Sequence, residues 1–123
     1  MKWKKGLTLL EIVVGMAIFI VSIVSLLGAY MNVLAMSEGS RNLNTALNDV
    51  SRVIEEMRNI PFSSITLTDW TTWAQNNGAN TLENETVTVS YQGADPLTVT
   101  VIVNWTEKSR QRSTSLVTAI TQR

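Results

Sequence analysis

The sequence predicts an α+β protein: a long N-terminal helix, apolar in its first half and amphipathic in its second, packed on a small antiparallel sheet of about three strands. Three observations predict it. From Ile12 to Met36 the polar side chains are Ser22, Ser25, Asn32 and the phenol of Tyr30, with Gly15 and Gly28 interspersed, and about 20 such residues in a helix cross a ~30 Å hydrocarbon layer. Leu43, Leu47, Val50, Ile54 and Met57 then recur at alternating steps of four and three, a narrow helical stripe. After residue 84 the apolar period drops to two, the signature of strands.

Composition limits what such a chain can do. With 123 residues, of which roughly 25 to 30 belong to the apolar run, the remaining core must be small. Formal net charge is zero, but Lys2, Lys4 and Lys5 precede the apolar run, so the rest of the chain carries more acid than base. That is no nucleic-acid footprint, and no nucleic-acid partner is expected. The sequence holds no cysteine and no histidine, which excludes disulfides, thiol chemistry and zinc sites built on those ligands. No catalytic residues and no cofactor are expected, because the soluble carboxylates show no paired arrangement.

Taken in order, the elements read as follows. Lysines before the apolar run and none just after it point to a single membrane pass with the N-terminus in the cytoplasm. The run is longer than the apolar core of a secretory signal. The helix continues as the amphipathic stripe until Asn59-Ile60-Pro61, where the residue before proline is pushed out of the helical region. Residues 61–84, rich in Ser, Thr and Asn, read as a loop with at most a helical turn around Trp70 to Gln75. Trp70 and Trp73, three apart, are expected to dock that loop onto the core, with ligand binding as the other reading. "ETVTVSY", "LTVTVIVNW" and "STSLVTAIT" are the three strands, joined by turn-like "QGADP" and "EKSRQR". Ile102, apolar on the outward face of the middle strand, points to partial cover on that side.

Glu11 is the residue that a plain anchor leaves unexplained. An ionised carboxylate within a spanning helix costs about 2.5 to 3.5 kcal/mol on insertion scales. A cut between Gly6 and Leu7 would create an α-amino group four residues before Glu11. On a neighbouring copy displaced along the helix axis, that ammonium would pair with the carboxylate, and the same cut would remove the three leader lysines.

"KKG" followed by "LTLLE" and an unbroken apolar helix resembles the class III signal of type IV pilins and of type II secretion pseudopilins. The resemblance rests on about ten residues. It implies that a membrane prepilin peptidase cuts after Gly6 and methylates the new N-terminal Leu7, and that Glu11 serves methylation and assembly. It also implies an order of parts: leader 1–6, transmembrane and filament-core half of the helix 7–36, amphipathic half 37–60, variable loop 61–84 and β-meander 85–123. The expected partners are the peptidase, other pilin or pseudopilin subunits, an inner-membrane assembly platform and, before assembly, lipid. The expected location is the bacterial inner membrane, with the head periplasmic or extracellular, and then a filament. Many major pilins have proline where this chain has Gly28, and many close a C-terminal loop with a disulfide that this chain cannot form. Its size and short ending look more like a minor pilin or pseudopilin. The rival from another class is a monomeric membrane-anchored binding module that uses the Trp-containing loop.

Three weaker patterns complete the survey. Lys108, Arg110 and Arg112 cluster at a turn and are expected to be a solvated hairpin rather than a phosphate site. Asn84 and Asn104 begin glycosylation sequons of a kind that arises often by chance. Glu83, Glu85 and Asp95 offer calcium-type ligands, as in some pseudopilins, without forming a dense acidic loop.

Overall fold

The computed structural model describes residue 6 and residues 8–122 and has the α+β architecture the sequence predicts. Its elements are helix α1 (Leu9–Asn59), two short helices α2 (Phe62–Ile65) and α3 (Trp70–Asn76), and strands β1 (Thr86–Gln92), β2 (Leu97–Glu107) and β3 (Arg110–Ile120). The chain divides into two compact units, Met1–Glu38 and Gly39–Arg123.

The described part of the first unit is the start of α1. Thr8 sets its beginning: the Thr8 carbonyl accepts the first i to i−4 bond, from the Ile12 N–H at 3.2 Å, and its hydroxyl accepts the Glu11 N–H, also at 3.2 Å. A threonine in that position satisfies a donor that has no partner within the helix. The Ser22 and Ser25 hydroxyls donate to the carbonyls of Ile18 and Val21, each at 2.8 Å, so neither needs an external partner. The helix runs unbroken through Gly15 and Gly28.

The second unit contains the buried core. Its sheet is a meander in the order β1-β2-β3, antiparallel throughout. Inward-facing Val99, Val101, Val103 and Trp105 of β2 are buried, opposite half-buried neighbours. Ile102 is half-buried on the other face, where the register sets it between Thr88 and Ser115. Cross-strand neighbours therefore supply the partial cover expected there.

Against that face α1 presents Ala46, Val50, Val53, Ile54 and Met57. This differs from the stripe read from the sequence. Leu43 is 40% exposed and Leu47 only half-buried, whereas Ala46 and Val53 are fully buried. The contact face is rotated towards the 46/53 side, and the small alanine lies where the sheet lies against the helix. A pattern search weighted towards large apolar residues passes over such a position.

The 61–84 segment is more ordered than a loop with one turn. Asp69 caps α3 by accepting the N–H groups of Thr71 and Thr72 at 3.1 and 3.2 Å. These bonds, with the Thr72 hydroxyl as the foremost cause, hold the Asp69 carboxyl below its ordinary value. Thr71 then donates from its hydroxyl to the Val87 carbonyl at 2.6 Å, tying α3 to β1. The β1–β2 connection needs Gly93, whose φ is +82° and where an added Cβ would lie 3.1 Å from the Pro96 carbonyl oxygen.

"EKSRQR" also differs from expectation. The turn is only Lys108 and Ser109, both with positive φ (46° and 63°), as in the two-residue I′ hairpin. Arg110, Gln111 and Arg112 belong to β3. Without an Asn-Gly pair, the sequence carries no signal for so tight a reversal.

Candidate functional site

The residues that carry the functional reading lie at the start of the chain. Lys2, Lys4, Lys5 and Leu7 are outside the described residues. Gly6 is exposed and outside any regular element, and nothing comes within 4 Å of a Cβ built on it. Glu11 lies in the first turn of α1 and is exposed. Thr8 and Glu11 stand three apart as N-cap and third helical residue, the spacing of a capping box. The threonine half of that box, the hydroxyl accepting the Glu11 N–H, is formed. A carboxylate there faces the positive end of the helix dipole, which favours it by typically 0.3–1 kcal/mol.

Sequence reasoning placed Thr8 within a motif but missed its role as a cap. The Thr-x-x-Glu spacing ahead of an apolar run was the available signal.

Beyond Glu11 the helix surface is apolar and uncovered. Phe19, Val21, Leu26 and Met31 are each 65–71% exposed. α1 is long and apolar enough to cross a membrane, and none of its most apolar stretch is buried inside the protein. Such a surface requires lipid or other protein around it, since monomeric soluble proteins rarely expose contiguous apolar patches beyond a few hundred Å².

The other candidates are dispersed. Trp70 is buried, donates its indole N–H to the Ile65 carbonyl at 2.9 Å and meets Trp73 edge to face at 5.8 Å between ring centroids. The Tyr91 hydroxyl donates to the same carbonyl at 3.0 Å. Burial raises the Tyr91 phenol above its ordinary value, and the bonding around Trp70 offsets part of that rise. A cleft of mixed polar and apolar character is lined by Met57, Arg58, Asn59, Phe62, Ile65 and Ile120.

Glu83 is exposed, Glu85 is buried, and Asp95 accepts the Gln122 N–H at 3.2 Å. Among the described residues no three His, Cys, Asp or Glu side chains come together as a metal site. Arg112 pairs with Glu107 at 3.3 Å, and Glu107 also accepts from Asn42 of α1 at 2.7 Å. Asn84 is exposed at positive φ, and Asn104 is half-buried within β2.

Comparison with protein-family models, with curated proteins and with solved structures gives no match.

Proposed function

We propose that this chain is a structural subunit, a minor pilin or pseudopilin, of a type IV pilus-like or type II secretion filament. In this reading a prepilin peptidase cuts after Gly6 and methylates Leu7. The freed helix waits in the bacterial inner membrane and then packs among neighbouring subunits on an assembly platform. The protein does no catalysis: its chemistry is the exchange of lipid for protein around an apolar helix.

The observation that carries the reading is the start of α1, a glycine outside regular structure followed by a threonine-capped apolar helix with one carboxylate in its first turn. The helix dipole offsets part of the cost of Glu11 in lipid. A new ammonium on a neighbouring subunit would supply the rest. The head supports the same role, because Trp70 is used in the core, which leaves the 61–84 segment little aromatic surface for a ligand.

Mass spectrometry of the native protein tests the processing step. A chain that begins at a methylated Leu7 is expected, and one that still begins at Met1 overturns the proposal. Glu11→Ala tests the assembly step: membrane insertion is expected to persist while incorporation into filaments falls at least about tenfold, a coupling of about 1.4 kcal/mol or more. Unchanged incorporation would favour the monomeric anchored module instead.

A further inference from the structure

Two acids are buried side by side in the head. Asp49 of α1 is 4% exposed and Glu85, just before β1, is 5% exposed. The Thr81 hydroxyl and N–H donate to Asp49 Oδ2 at 2.9 and 3.4 Å, and the Leu82 N–H donates to Glu85 Oε2 at 2.8 Å. Glu85 Oε1 is buried with no partner among the described residues, and so is the indole nitrogen of Trp105. Thr86 pairs with Asn104 in the β1–β2 ladder, so one further step in register sets Glu85 opposite Trp105.

Among the described residues no ion pair to either acid is found. Arg52 of α1 lies nearby in sequence, but its guanidinium donates to the Asn77 and Gly78 carbonyls at 2.8 and 3.0 Å. α3 and β1 carry no charged side chains, Glu83 is exposed, and on β2 Glu107 is engaged by Asn42 and Arg112. Thr81 and Leu82, which bond the two acids, are consecutive residues, so the carboxyls are held close together, and the Asp49 charge acts on Glu85. Two facing carboxylates out of water need a proton or a metal between them. A calcium ion takes six to eight oxygens, and two carboxyl groups with one threonine fall short of that.

We propose that Glu85 and Asp49 share one proton and form a pH-released clamp that fastens the 77–85 connection to α1. The clamp would join three points: the Asp49–Thr81 bonds, the Leu82 N–H on Glu85, and the acid pair itself. Losing the proton places a second negative charge beside Asp49 and leaves Glu85 Oε1 as an ionised oxygen, across the β1–β2 register from Trp105, whose indole N–H is likewise unpartnered among the described residues.

Burial, the foremost cause, pushes the Glu85 carboxyl from its ordinary 4.5 up to about 7; the Leu82 N–H opposes the rise and the Asp49 charge and hydrogen bond add to it. The folded state therefore holds a proton that the unfolded chain gives up. The resulting stability is fully present below about pH 4.5 and is lost as pH rises through about 7. This inference does not depend on the filament reading.

The test uses the full chain, isotope-labelled in detergent micelles, titrated between about pH 5 and about pH 8.5. The Glu85 carboxyl carbon is expected to titrate near 7, and the Trp105 indole N–H resonance to shift with the same midpoint. Amide exchange across 77–85 is expected to accelerate at least about fivefold beyond its intrinsic pH dependence. In Glu85→Gln both the indole shift and the excess exchange should vanish, and in Asp49→Asn the Glu85 midpoint should fall. If a variant does not fold, the carboxyl midpoint of the unaltered chain decides. A Glu85 midpoint below about 5 overturns the clamp. So does calcium chloride alone, if it restores protection of 77–85 at alkaline pH in a saturable way, because the pair would then be a cation site.

Discussion

At the scale of single residues, burial separates side chains that look alike in the sequence. Leu43 and Met57 belong to the same apolar repeat, yet Met57 is fully buried and Leu43 is 40% exposed. Met57→Ala is expected to cost about 2–5 kcal/mol and Leu43→Ala less than about 1 kcal/mol, as read by chemical denaturation of the full chain in detergent. Equal losses at the two positions would mean that the helix face is wrongly assigned. Period and spacing made Val50, Ile54 and Met57 readable as core. They could not reveal Ala46, whose burial depends on how closely the sheet approaches. The inward burial of Asp49 and Glu85 was equally hidden, because acidic residues in a sequence read as solvated until a partner across the fold is known. Glu11 was legible for the opposite reason: a charge inside a greasy run stands out without any tertiary knowledge.

At the scale of elements, long periodic segments were readable and short irregular ones were not. The three strands follow from strict alternation, and α1 ends within a residue of where Pro61 requires. The short helix α2 carries no side-chain cap and gave no warning in the sequence. α3 did carry one, since Asp69 precedes it as a cap. The β2–β3 reversal was legible as a turn within "EKSRQR", but its two-residue tightness was hidden because Lys108 and Ser109 adopt positive φ without the glycine or asparagine that usually marks it. That geometry strains a side chain with a Cβ by roughly 1 kcal/mol, so Ser109→Gly is expected to raise head stability by up to about that amount. The thermal midpoint checks it. A loss of stability would show that the serine contributes a contact greater than the strain it bears.

At the scale of the whole molecule, the buried hydrophobic residues run from Ala46 to Trp105, all within Gly39–Arg123. The described residues of the first unit contribute none of them. A fragment comprising residues 39–123 is therefore expected to fold cooperatively without detergent, with a thermal midpoint within several degrees of the head in the full chain, equivalent to about 1 kcal/mol. Calorimetry of the two would decide, and a fragment without a cooperative transition would mean that the apolar helix supports the head. The α+β class was legible at this scale because each part of the chain states its own solvent: residues 12–36 carry no charge, and the strand segments alternate apolar with polar. Much of what joins the parts of the head was not legible, since several of the joints are hydrogen bonds to main-chain atoms. The Ile65 carbonyl is the clearest instance, receiving both the indole of Trp70 and the phenol of Tyr91. An acceptor that belongs to the peptide unit is present whatever amino acid occupies the position. Any buried apolar side chain at position 65 thus keeps this acceptor in place, whereas removing the Trp70 indole or the Tyr91 phenol breaks one of its two bonds.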